Sequence, residues 1–153
     1  MPLVAVVMGS NSDTEALQPT LEILTQLGID HEVNVISAHR NPEKAKQYAQ
    51  SARDRGIEVI IAAAGMAAHL PGVLASWTTL PVIGVPLSGS ELNGVDALYS
   101  IVQMPAGIPV ACTAIGSPGA KNAAYLAAEI LGLKYQEIRE AYEKYRNEIQ
   151  GTS

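Results

Sequence analysis

The chain has 153 residues, of which 10 are basic and 15 acidic, giving a formal net charge of −5. That length suits one domain over residues 1–153, the 48% hydrophobic content excludes a disordered chain, and the scarcity of Lys and Arg excludes a grip on nucleic acid. The single cysteine, Cys112, excludes an internal disulfide, and no metal-ligand spacing surrounds it.

Met1-Pro2-Leu3-Val4 lacks the basic start and cleavage site of a secretion signal, so a cytoplasmic protein is expected. Leu3 to Met8 is a short apolar run ending at Gly9, the pattern of a parallel strand buried on both faces. Ser12-Asp13-Thr14-Glu15 fits a capping box with Ser12 as N-cap, and Leu17, Leu21 and Leu24 follow at helical spacing to a stop at Gly28. Glu32 to Ile36 reads as the second strand. Asn41-Pro42 then opens a helix that runs to about Arg55-Gly56. Glu58 to Ala62 is the third strand, and Pro71 places the next helix start near Leu70. Pro81 to Val85 and Pro109 to Thr113 read as strands four and five. Ser117-Pro118 caps an alanine-rich helix ending at Gly132, and Tyr135, Ile138, Tyr142, Tyr145 and Ile149 mark a final amphipathic helix.

Strand and helix alternate, which predicts an α/β fold: a flavodoxin-like three-layer sandwich with a five-stranded parallel sheet in the order 2-1-3-4-5 and a C-terminal amphipathic helix. Residues 59–133 carry only Glu91, Asp96, Lys121 and Glu129 as charges. Gly65, His69, Pro71, Gly72, Pro81 and Pro86 divide that stretch into pieces too short for a membrane span of ~20 apolar residues. Buried strands explain part of the void. Burial against other copies of the chain is expected to explain the rest, because interface cores are depleted of charge.

In such sheets ligands bind beyond the carboxyl ends of the strands, where the strand order reverses. Three loops reach that place. Gly9-Ser10-Asn11-Ser12-Asp13 offers close backbone approach, hydroxyls and a helix start, which suits an anion; it also fits a plain helix cap. Asp13 adds an acceptor suited to a sugar hydroxyl. In Ser37-Ala38-His39-Arg40, Arg40 can hold a phosphate with two hydrogen bonds, and His39 is the side chain there able to exchange a proton near neutral pH. Ala64-Gly65-Met66-Ala67-Ala68-His69-Leu70 consists mostly of small residues, so backbone would line the pocket; tight helix–sheet packing would use the same composition. His69, just before a helix start, is expected to act as a hydrogen-bonding group rather than a proton donor. His31 is expected at the surface, Trp77 and the tyrosines in packing, and Cys112 as a small buried hydrophobe.

Together these blocks make the chain resemble, from end to end, the class I N5-carboxyaminoimidazole ribonucleotide mutases of bacterial purine biosynthesis, the PurE family. The residues that carry the likeness are Met8-Gly9-Ser10-Asn11-Ser12-Asp13, Ser37-Ala38-His39-Arg40, Ala67-Ala68-His69-Leu70-Pro71-Gly72 and Ser100-Ile101-Val102-Gln103-Met104-Pro105. The resemblance implies a homo-oligomer, an octamer, with the C-terminal helix on a neighbour. It also implies a ribonucleotide substrate and movement of a carboxylate from the exocyclic nitrogen to ring carbon 4, without metal or other cofactor. Residue by residue, it puts phosphate contacts on Ser10, Ser12 and Arg40, a ribose contact on Asp13 and the acid–base role on His39. Further pocket positions fall on Ser37, Ala38, Ala64, Gly65, Met66, Ala67, Ala68, His69 and Leu70. The family usually has Thr at Asn41 and a second glycine at Met66; Met66 is expected to keep ordinary backbone angles and aim its thioether at the pocket mouth or a neighbouring subunit.

Two alternatives share these features. The class II carboxylases take free carbon dioxide, but they lack the Ala-His-Leu-Pro-Gly run. A non-catalytic nucleotide- or flavin-binding module would use a similar first loop, but it usually stacks aromatics on its ring, and the three loops hold no Trp or Tyr.

Overall fold

The computed structural model describes residues 1–66 and 68–151. Its sheet has five parallel strands: β1 (Val4–Met8), β2 (His31–Val35), β3 (Val59–Ala64), β4 (Val82–Pro86) and β5 (Ala111–Cys112), in the spatial order β2-β1-β3-β4-β5. This is the expected order. In β1, Met8 faces Val35 on one side and Ala63 on the other, which brings three strand ends level at one edge.

Among the described residues six α-helices cover the two faces: α1 (Thr14–Gln26), α2 (Pro42–Ala52), α3 (Leu70–Ser76), α4 (Val95–Val102), α5 (Ser117–Leu131) and α6 (Gln136–Gly151). Because side chains alternate along a strand, each central strand feeds two cores. Val4, Val6, Met8, Ile61 and Val85 pack with α1 and α5 on one face; Ala5, Val7, Ile60 and Ala62 pack with α2 and α3 on the other. Parallel strands buried this way lose the polar half of the usual alternation, which is why β1 and β3 read as unbroken apolar runs.

Thr20 is a buried polar side chain, and its Oγ1 donates to the carbonyl of Ala120 at 2.7 Å, pinning α1 to α5 across 100 residues of sequence. At the sheet edge, Arg55 bonds Glu32 and lies over the ring of Tyr48, while Asn34 donates to both Glu32 and Tyr48. Lys134 and the hydroxyl of Tyr135 both reach Glu58, tying the start of α6 to the foot of β3. Burial alone would raise the Glu58 carboxyl, but these two partners outweigh it and hold it below its ordinary value. No helix among the described residues is long and apolar enough to cross a membrane.

Four local features depart from expectation. A 3-10 turn over Asn11–Asp13 precedes α1, so Asp13 and not Ser12 occupies the N-cap, and Ser10 caps the turn by accepting from the Ser12 N–H. Strand β5 is two residues long, Ala111–Cys112, shorter than expected; Pro109, which has no N–H to give a ladder, lies before it. Helix α4 has no counterpart in the sequence reading: it is short, Asp96 and Ser100 are its only polar residues, and it opens at Gly94 with φ +88° and no side-chain cap. Trp77 and Tyr99 are exposed rather than packed, and Cys112 is half-buried, its thiol pushed up by that burial.

Candidate active site

The aligned strand ends open into a cavity of about 460 Å³ lined by Gly9, Ser10, Ser12, Asp13, Ser37, Ala38, His39, Arg40, Ala63, Ala64, Gly65, Met66, Ala68, Leu70 and Gly89. All three loops singled out in the sequence therefore meet in one place. A second hollow of about 670 Å³, among Arg53, Trp77, Thr79 and Pro109, is larger but lies at the amino ends of the strands, and Arg53 there already donates to Thr79.

The first loop holds a paired hydroxyl. Ser10 Oγ and Ser12 Oγ lie 2.9 Å apart, and the 3-10 turn is closed by the Asp13 N–H donating to the Ser10 carbonyl at 3.1 Å. Both serines are exposed at the mouth, so each keeps capacity for an incoming oxyanion. Asp13 is half-buried, and that burial raises its carboxyl above the ordinary value although a backbone hydrogen bond from Ser10 works the other way. Its Oδ1 stands 3.7 Å from where a Cβ on Gly65 would sit, an ordinary contact distance, so the first and third loops approach each other at this point.

The second loop follows β2 directly. The Ile36 N–H still bonds the Met8 carbonyl at 2.8 Å, after which Ser37 turns the chain. Ser37 Oγ accepts from the Arg40 N–H at 3.2 Å and its carbonyl accepts from the Asn41 N–H at 2.9 Å. Asn41 in turn caps α2 by accepting from the Lys44 N–H at 3.2 Å, so a tight turn and a helix cap hold His39 and Arg40 from both sides. Ala38 is buried while His39 and Arg40 are exposed, which leaves a guanidinium and an imidazole facing the hydroxyl pair across the cavity mouth.

The third loop forms the wall. Ala64 ends β3 with its carbonyl accepting from the Leu87 N–H at 2.9 Å; Met66 is exposed, and Leu70 lines the cavity while otherwise buried. Positive φ among the described non-glycine residues falls on His69 and Asn93, so Met66 does not take the left-handed φ that a glycine there would allow. Ala67 lies outside the described residues. His69 is not among the lining residues. Its backbone is left-handed (φ 63°, ψ 25°), a conformation that costs of order 1–3 kcal/mol for such a side chain, and its Nδ1 sits 2.7 Å from the carbonyl of Ser100 in α4.

Gly89 is a lining residue that sequence reasoning missed. The signal was available: Ser88-Gly89-Ser90 is a small-residue loop directly after β4, at the same carboxyl edge. Among the described residues, no group of three or more His, Cys, Asp or Glu side chains is arranged to hold a metal ion.

The family model described as AIR carboxylase matches residues 3–152. The chain is 58% identical, over 99% of its length and 98% of the relative's, to an N5-carboxyaminoimidazole ribonucleotide mutase of Saccharolobus solfataricus. It is likewise 58% identical, over 94% of its length and 88% of the relative's, to the Pseudomonas aeruginosa protein of the same name. Among solved structures, Treponema denticola PurE superimposes with a TM-score of 0.88 at 29% identity, covering 99% of this chain and 94% of that one.

Proposed function

Since the chain belongs to the AIR carboxylase family, we infer that it is an enzyme of purine biosynthesis, an isomerase that converts N5-carboxyaminoimidazole ribonucleotide into the 4-carboxy isomer. The observation that carries the reading is the meeting of three loops in one cavity: a hydroxyl pair and a carboxylate, a guanidinium beside an imidazole, and a wall of small residues.

Each group has a task that its chemistry suits. Arg40 with Ser10 and Ser12 binds the nucleotide phosphate, because a guanidinium and hydroxyls together satisfy several phosphate oxygens. Asp13 accepts from ribose hydroxyls. Backbone around Ser37, Ala38, Gly65 and Ala68 lies flat against the imidazole ring, with Ala64, Met66 and Leu70 completing the wall.

His39 then serves both half-reactions. Its imidazolium gives a proton to the exocyclic nitrogen, the nitrogen–carboxylate bond breaks, and carbon dioxide and the free amine remain in the cavity. Ring carbon 4 attacks the carbon dioxide, a carbon–carbon bond forms, and the neutral imidazole takes the proton from that carbon. The proton count closes within the cycle. Retention is the main contribution of the cavity, since a reactant held against its partner behaves as if at an effective concentration of ~10⁵ M or more. The reading assigns no step to a metal or organic cofactor.

The protein works as one domain in the cytoplasm and as a homo-octamer. Val95, Tyr99 and Val102 along α4, with Leu92 in the turn before it, are exposed apolar residues within the charge-poor stretch, which supports burial against other copies. Sedimentation is expected to give an octamer at micromolar concentration, and a monomer would contradict this.

The decisive test supplies the N-carboxylated ribonucleotide without added bicarbonate and follows the ring-carboxylated product. Product should accumulate. Formation only from the uncarboxylated nucleotide plus bicarbonate would overturn the mutase reading.

A further inference from the structure

We propose that His69 is a positioning residue: it ties the wall of the substrate cavity to α4 through its Nδ1 proton, and its ring makes no contact with the nucleotide. The proposal rests on the mutase reading above. Its first support is direction. Ala68 and Leu70 line the cavity on either side, but the His69 imidazole turns away to Ser100, with Nδ1 2.7 Å from that carbonyl. A carbonyl only accepts, so Nδ1 carries the proton.

The second support is where the rest of the ring lies. A Cβ built on Gly72 would fall 2.2 Å from both Cε1 and Nε2 of His69, so the ring rests on the bare Cα of Gly72 at the start of α3. The third is the partner. The last four carbonyls of a helix have no donor within it, and Ser100 belongs to that last turn of α4. His69 therefore completes α4 and anchors the loop in one bond. The fourth is backbone: a left-handed histidine persists only where its surroundings fix it, and here the fixing contact lies outside the cavity.

In a mutase the loop from Gly65 to His69 walls the space in which carbon dioxide must wait. A wall tied to α4 stays shut through the interval between the two half-reactions. An untied wall opens, and carbon dioxide leaves before carbon 4 captures it.

The test uses two replacements that divide the imidazole by atom. In His69→Asn the amide nitrogen can occupy the place of Nδ1, and asparagine tolerates the left-handed backbone; in His69→Gln the amide nitrogen falls near the place of Nε2. Substrate carrying carbon-13 in its N-carboxylate is turned over in unlabelled bicarbonate, and label retained in the product is measured together with KM. We expect wild type and His69→Asn to retain label alike, and His69→Gln to lose it about tenfold more often at a KM within about twofold, a displaced wall being a misplacement of the kind that costs up to ~10²-fold. A merely structural role would lower stability without shifting this partition. Retention by His69→Gln but not by His69→Asn would place the role at Nε2 and overturn the proposal, as would two variants that both match wild type or both leak. Nitrogen-15 spectra of His69 in the wild-type protein give a reading independent of turnover: a bare Nδ1 with the proton on Nε2 overturns the tie even where a variant fails to fold. A wild type that makes no product overturns the mutase reading alone, and those spectra still judge the tie.

Discussion

Gly72→Ala probes the packing under His69, and its sign should depend on what stands above it. The new Cβ would fall 2.2 Å from two ring atoms of His69, well inside contact distance, so the imidazole must leave its place. Overpacking of this kind costs about 1–3 kcal/mol. Losing the bond to the Ser100 carbonyl adds about 0.5–1.5 kcal/mol. Against both stands the preference of a helix for alanine over glycine, about 0.5–1 kcal/mol, since Gly72 lies in the first turn of α3. The net loss is about 2 kcal/mol, which for a chain of this length lowers Tm by roughly 4–8 °C. Once the ring is gone the arithmetic reverses: in a His69→Ala background only the helix preference remains, and the same change should be neutral or stabilising by up to about 1 kcal/mol. Thermal unfolding of wild type, both single variants and the double variant closes the cycle, with an expected coupling of about 1.5–3 kcal/mol. An equal cost of Gly72→Ala in both backgrounds would refute the packing described here.

Other expectations concern the cavity itself. His39→Asn should leave Tm and substrate binding near wild type and lower kcat by ~10²–10⁴-fold, the usual worth of an acid–base group; a near-normal rate, read from product formation, would remove His39 from the chemistry. Met66→Gly should leave Tm largely unchanged and alter KM more than kcat, because Met66 is 63% exposed at the cavity mouth; unchanged KM in an intact oligomer would assign Met66 to packing instead. The Asp13 carboxyl is raised by burial, so its folded-state value lies above the unfolded one of 3.8. The stability it contributes is full below the unfolded value and lost as pH rises through the folded one. Asp13→Asn should therefore gain in Tm relative to wild type at pH 7 and lose that gain below pH 3.8, as unfolding curves at the two pH values would report.

The sheet order and the meeting of the three loops were legible because each rests on local chemistry. Apolar runs without polar alternation specify strands buried on both faces, and Asn41-Pro42 specifies a helix start whatever surrounds it. Elements that depend on distant partners were not legible. Helix α4 has no side-chain cap and only Asp96 and Ser100 as polar residues, and its anchor, Ile101 packed over Gly84, depends on a strand distant in sequence. The turn before α1 illustrates competition between two caps: Ser12 has the right spacing to Glu15, but Ser10 takes its N–H first and moves the helix start to Thr14. His69 was read as a pocket residue, but it is not among the lining residues, and its direction depends on a carbonyl 31 residues away that no local pattern announces.

The hydroxyl of Thr20 has a consequence for how the chain reaches this structure. Its acceptor, the Ala120 carbonyl, lies 100 residues later. At synthesis rates of about 5–20 residues per second, that acceptor is made roughly 5–20 s after Thr20 itself. Through that interval α1 can sit on β1 and β3 but cannot bury its α5-facing side. The nascent chain therefore waits with Leu17 and Leu24 incompletely covered, and it is the arrival of the alanine-rich helix that makes the fold cooperative.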